Sequence, residues 1–320
     1  MTKAVVAVVA VVAIVAGAIW LVTRSQDSGP DPKAWEQKAQ AAFKPLVDAV
    51  PDLVKGAREW QAGDRPTEDF THQVQAAVSD FERTRKQVAA LGSSPKNKST
   101  GELYTHSAQL YEQVGRIYQV MVGTEPGDVR TQVDVLARRS RELADRVFDR
   151  GHAALAPYLG EQQSPDVEVR QPEEVPLWPD EGLAAGPPLD TIPSPPSSSP
   201  PLRQQTRPDE SAAAWAKDVR AAGIPRQDEL TKAISGRERD RLADLARRFV
   251  AAAERLRTAP DPKGHRDQSA VLRLGLLVNA DGARAAQAAT YLDPASQARL
   301  VDVGRSLAAV GADLLARSRP

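Results

Sequence analysis

The chain has 320 residues, 42 basic side chains against 42 acidic ones, and no cysteine. A zero net charge gives no electrostatic reason to expect nucleic acid or an acidic partner, and without cysteine there are no disulfides, thiolate chemistry or cysteine-ligated metal centres. The length allows two domains of ordinary size, and with aromatics at 5% their cores must be built mainly from Ala, Val and Leu.

The first predicted element is a transmembrane helix. Ala4 to Val22 is free of charge and proline and is bounded by Lys3 and Arg24; as a helix it would run about 28 Å, close to the hydrocarbon thickness of a bilayer. Trp20 stands where an amphipathic ring suits the headgroup layer. A cleaved signal peptide is the competing reading, with Lys3 as its basic end and Ala16-Gly17-Ala18 as the small-residue site, but Ile19 to Val22 carry the apolar run past that site. Residues 1–24 are therefore expected to be a retained anchor that meets the lipid bilayer through residues 4–22. The nearest charges place the N-terminus in the cytoplasm and the remainder outside, a single-pass cell-membrane topology.

Asp31-Pro32 reads as an N-cap followed by proline at the first helical position. Trp35, Ala39, Ala42, Phe43, Leu46 and Val50 recur at helical spacing, with Pro45 and Pro51 expected to kink or break the helix. After Gly63-Asp64, Phe70, Val74, Ala77, Phe81, Val88 and Leu91 line a second helix. A polar loop, 92–100, leads to a third in which Leu103, Leu110 and Ile117 repeat by seven, as do Tyr104, Tyr111 and Tyr118. The fourth carries Val129, Val133, Leu136, Leu143 and Val147, with Arg138, Arg139, Arg141 and Arg146 mostly on the wet face. Four amphipathic helices with short loops predict an antiparallel bundle, lobe one, over 31–159.

Residues 160–209 hold about half of the 25 prolines, together with the Ser197-Ser198-Ser199 run. This composition predicts a disordered, polyproline-like linker that keeps the lobes apart, with Trp178 as its residue most suited to docking. Helical pattern resumes over 210–320, lobe two, with Trp215, Leu230, Phe249, Leu256, Leu274, Val278, Leu300 and Leu307. Phe81 and Val88 match Phe249 and Leu256, and Val133-Asp134-Val135 matches Val301-Asp302-Val303, at a separation of 168. The final stripes align better at 167, so an internal duplication is suggested with a one-residue loop shift. The expected fold is all-α: an N-terminal transmembrane helix and two helical-bundle lobes joined by the Pro-rich linker.

Glu68 with His72 and Glu102 with His106 stand four apart on consecutive helices, a spacing that puts carboxylate and imidazole on one face. The glutamates that a carboxylate-bridged di-metal site needs from the other two helices are missing, so two solvated pairs are expected and no metal ligands are assigned. Ser93-Ser94-Pro95-Lys96 matches Ser-x-x-Lys, and Lys98-Ser99-Thr100-Gly101 resembles the Lys-Thr-Gly string of the penicillin-binding family. Both lie in one short loop of an all-helical context, and the second carries an extra residue, so no nucleophile is assigned. The tyrosine stripe is expected to be core rather than a ligand channel. No catalytic, cofactor or metal residues are assigned, and the chain is not expected to be an enzyme. The expectation is a membrane-anchored, extracytoplasmic binding or scaffold protein of the bacterial cell envelope with a protein partner; the alternative is a ligand or metal carrier using the interior of the first bundle.

Overall fold

The computed structural model describes residues 31–94, 98–159, 212–259 and 266–318. Among them the chain is all-α, with helices α1 (Pro32–Ala62), α2 (Thr67–Leu91), α3 (Lys98–Val122), α4 (Asp128–Leu159), α5 (Ala212–Ala221), α6 (Gln227–Gly236), α7 (Arg239–Thr258), α8 (Arg266–Ala289) and α9 (Pro294–Ser318). Two helices open as the sequence dictates. The Asp31 carboxylate accepts from the Lys33 amide at 3.1 Å with Pro32 behind it, and Asp293 accepts from Ala295 and Ser296 at 2.9 and 3.1 Å ahead of α9. Each proline fills a position whose amide has no intrahelical acceptor.

Of the two outcomes expected at Pro45 and Pro51, a break does not occur: α1 runs continuously for 31 residues through both. The carbonyls those prolines orphan belong to Ala41 and Val47, both exposed and open to water. On the opposite face Phe43, Leu46 and Leu53 are buried. Packing on one side and hydration on the other offset the lost hydrogen bonds.

The single-pass cell-membrane localisation expected from the sequence has to be corrected. Among the described residues no helix is long and apolar enough to cross a membrane. The physical reason is amphipathicity: even α8, buried along most of its length, carries Arg273, Asp281 and Arg284, charges that are costly in hydrocarbon. The run 4–22 and the bilayer contact assigned to it lie outside the described residues, as does the linker 160–209 with Trp178.

Instead of standing apart, the lobes share one core. α3 packs on α4 and α9, α4 on α8, and α8 on α9, which closes a ring of four helices. The named contacts run antiparallel around it. Glu102 near the start of α3 meets Arg317 near the end of α9, Gly123 just past the end of α3 lies beside Ser296 at the start of α9, and Arg139 of α4 meets Asp281 of α8. Outside the ring, α2 covers α3 while α1 rests on α2 and α4; in lobe two, α7 covers α8 and α6 bridges α7, α8 and α9.

Lobe two repeats lobe one in order, with α7, α8 and α9 in the places of α2, α3 and α4. The repeat holds at the level of residues. Subtracting 168 along α8 and 167 along α9 carries the Gly275–Gly311 approach onto Ser107 and Ala144, where the serine hydroxyl donates to the alanine carbonyl at 2.9 Å. The two cross-lobe contacts also interchange: transposed, Glu102–Arg317 becomes Ala270–Arg150, which lies in the same antiparallel register as Asp281–Arg139. The four-helix ring is thus pseudo-two-fold, like an isologous dimer within one chain. The lobes differ at their starts, where the long α1 is answered by the two short helices α5 and α6.

The α8–α9 hairpin is the tightest packing in the ring. A Cβ added to Gly304 would lie 2.8 Å from the Gly282 carbonyl oxygen, and one added to Gly282 would lie 2.9 Å from that of Gly304. No flexible side chain stands there to yield, so the backbones themselves would have to part. Gly282→Val is expected to cost about 3 kcal/mol or more, read as a lowered midpoint in thermal or urea unfolding of the full chain.

Candidate functional site

The structure disperses the sequence-predicted pairs. Glu68 and His72 sit at the surface 3.9 Å apart, with side chains 86% and 72% exposed, a solvated pair. Glu102 is taken by Arg317 of α9, while His106 is buried with Nδ1 3.1 Å from the Gln109 amide oxygen. The two pairs lie at opposite ends of the α2–α3 hairpin, whose antiparallel register is fixed by Arg85–Glu112 at 2.5 Å and Arg116–Glu82 at 3.1 Å. Among the described residues no three His, Cys, Asp or Glu side chains gather as a metal site would require. Pro95 and Lys96 lie outside the described residues, and Lys98 to Gly101 form the first turn of α3 rather than a strand.

The tyrosine stripe is core, as expected, but it is not merely apolar. Two of the three hydroxyls donate to an acid, and the third lies near one. Tyr111 donates to Asp145, and Tyr118 lies in the field of Asp134; burial first, and these carboxylates next, push both phenols well above their ordinary range. Tyr104 donates to Glu36 at 3.1 Å to one oxygen and 3.2 Å to the other.

Around Tyr104 lies the densest chemical grouping in lobe one. Its ring is stacked between Trp35 (centroids 5.7 Å apart) and Phe148 (4.7 Å), with Phe43 edge-on at 5.6 Å. Glu36, only 4% exposed, also accepts from Gln40 at 3.2 Å and has His152 Nδ1 at 3.2 Å. Polar oxygens buried this deeply need hydrogen-bond donors. Here three helices supply them, so the cluster pins α1, α3 and α4 together. Neither Glu36 nor His152 stands out in the sequence, where 116 positions separate them; no local spacing signals such a contact. Tyr104→Phe should lower unfolding stability by about 1–2 kcal/mol with helix content unchanged, checked by urea denaturation and circular dichroism.

The arginine-rich face of α4 also differs from expectation. Arg138 pairs with Asp134 at 3.1 Å, and Arg139 is buried and reaches out of its lobe to Asp281. Asp281 is fully buried and accepts on the same Oδ1 from Arg139 Nε at 3.1 Å and Arg284 at 3.2 Å. Burial pushes the Arg284 guanidinium down to about 10, with Asp281 opposing and Arg139 adding to the effect. A patterned helix face identifies arginines but not which of them a second lobe will cover. Elsewhere, a shallow depression lined by Arg237, Glu238, Arg239, Asp240, Arg241 and Thr290 is bridged by its own charges, Arg241 to Glu238 at 3.2 Å and Arg239 to Asp240 at 3.3 Å.

No protein-family model, curated protein or solved structure matches this chain.

Burial raises the Asp134 carboxyl above its ordinary value of 3.8, with Arg138 opposing. The folded state then holds this proton more tightly than the unfolded state does, so the Asp134 contribution to stability falls as pH rises from 3.8 through the raised value and levels off above it. Asp134→Asn should flatten that part of the stability-versus-pH curve relative to the wild-type chain, measured by urea titration at a series of pH values; identical slopes would exclude it.

Proposed function

We propose that this chain is a helical binding or scaffold protein, acting on a protein partner by surface recognition rather than by bond chemistry, and that its two lobes are copies of one ancestral unit. The observation carrying this reading is how the interior ionisable groups are used. Glu36 with Tyr104 and His152 ties three helices of lobe one, Glu112 ties α2 to α3 through Arg85, and Asp281 ties the lobes through Arg139. Each of these three carboxylates is engaged in holding helices together. The interior of lobe one is filled by Phe70, Phe81, Tyr104, Leu110, Ile117 and Met121, all fully buried. Chemistry addressed to another molecule then falls to the outer faces, and the pseudo-two-fold gives the protein two of them, α2 and α7, at equivalent places.

A partner that reads the shared architecture should touch both faces. Ser79 on α2 and Arg247 on α7 are equivalent positions 168 apart and both are exposed. A photo-crosslinking amino acid at either position in the full chain, expressed in its own cells, is expected to capture the same protein. Capture of nothing above an unirradiated control at both positions would refute the reading.

A further inference from the structure

We infer that α1 is a hinged strap: its N-terminal part, residues 32–46, swings off α3 and α4 about a hinge at residues 47–51, while its C-terminal part stays seated. Lobe two shows what the bend requires. α1 and α6 end alike. The Gly63 amide donates to the Trp60 carbonyl and the Asp64 amide to that of Glu59; 174 positions on, the Arg237 amide donates to Ile234 and the Glu238 amide to Ala233. Both cap residues are left-handed, at φ +83° and +53°, as this way of closing a helix demands. The step from 174 to the 168 of the later helices falls in the opening of α2, which has 25 residues against 20 for α7.

Twelve residues before each cap stands a proline, Pro51 in one lobe and Pro225 in the other. Ahead of Pro225 the helix is broken: α5 ends at Ala221, Gly223 turns the chain at φ +67°, and α6 begins at Gln227. Ahead of Pro51 it runs on. The residue that answers Gly223 is Ala49, whose Cβ strains the left-handed conformation that the break uses.

The middle of α1 is otherwise ready to bend. Pro51 has no amide to offer the Val47 carbonyl, and its ring crowds that oxygen; Val47 answers Ala221, the last residue of α5. From Val47 to Asp52 no residue is buried, although Leu46 and Leu53 on either side are both 1% exposed, so no core contact spans the bend. Residues 32–46 are fastened towards their far end. There Trp35 donates to the Leu91 carbonyl at 3.4 Å, Glu36 accepts from Tyr104 and lies 3.2 Å from His152, and Phe43 sits edge-on to Tyr104 and Phe148. The lever from Glu36 to Ala49 is about 20 Å long, and its release lifts Trp35 and Phe43 away and uncovers the rings of Tyr104 and Phe148.

Spin labels read the swing directly, because the chain has no native cysteine. In the full chain one pair joins Lys38→Cys to Ala76→Cys across the N-terminal part of α1, and a control pair joins Lys55→Cys to Ala76→Cys across its C-terminal part; all three positions are exposed. With Glu36→Ala to free the tip and Ala49→Gly to free the hinge, the first pair is expected to show a second population longer by about 10 Å or more, given the lever. The control pair should keep its single distance. Adding Pro51→Ala restores a hydrogen bond to the Val47 carbonyl and should remove the longer population. Ala41→Gly in place of Ala49→Gly puts glycine in the same helix away from the hinge, and should not enlarge that population over Glu36→Ala alone. The inference is overturned by one distance in every variant, by a control pair that lengthens with the first, or by a longer population that Pro51→Ala leaves in place. Should Glu36→Ala fail to fold by circular dichroism, hydrogen exchange of the Ala49→Gly chain decides. Amides of residues 47–54 should then exchange about fivefold faster than in the wild-type chain and those of 57–62 at the wild-type rate; no difference between the two segments overturns it.

Discussion

Burial of the inner faces of α3 and α4 against α8 and α9 is the constraint on which everything else depends. From Leu272 to Ala283 every residue of α8 is buried, a pattern that no helix at the edge of a small bundle can show. Such a helix needs cover on all sides, and here α9, α7, α6 and the α4 of the other lobe provide it. α3 is in nearly the same position, flanked by α2, α4 and α9. Detached, each hairpin would expose a broad apolar face to water, at roughly 25 cal/mol per square ångström of surface. The lobes are therefore halves of one body.

Much of this was legible in the sequence, and the reasons are local. Asp31-Pro32 and Asp293-Pro294 start helices through side-chain capping that needs no tertiary partner, and the stripes through Phe70, Phe81, Leu110 and Ile117 mark the faces that became core. The offset that changes from 168 to 167 between the lobes was visible in the letters and reappears as the register in which Ser107 meets Ala144. What was not legible depends on distance along the chain. Pro45 and Pro51 predict a kink or a break by local rules, and the packing of Phe43, Leu46 and Leu53 keeps the helix from breaking. The union of the lobes had a signal that a single-stripe reading overlooks: α8 carries Leu272, Leu274, Leu276, Leu277 and Val278 in succession, too apolar all round to own a wet face. Among the candidate sites, the exposed Glu68–His72 pair matched its expected character, whereas the grouping of Glu36, Tyr104 and His152 requires three helices to be placed first.

The buried charges show how recognition is written into a contact that apolar area alone would leave loose. Desolvating Asp281 and two arginines carries a penalty that the two contacts at about 3 Å, both on Oδ1, offset only in part, since Oδ2 is buried without a partner. Alanine and leucine faces fit many partners approximately. An ion pair fits one register, and a slip of a single turn between α4 and α8 would separate Arg139 from Asp281.

The glycine pairs of α8 and α9 have a mechanical meaning for the whole body. In lobe one the positions that answer Gly282 and Gly304 are Val114 and Ala137, and Ser107 reaches the Ala144 carbonyl through its hydroxyl, whereas in lobe two Gly282 and Gly304 bring backbone against backbone. The two hairpins of the ring therefore differ in what fills the space between them, side chains in one and backbone in the other. A narrow hairpin of bare backbone has little to compress, so load applied to the outer helices of lobe two passes inward with little give, while the bulkier side retains rotamers through which to yield.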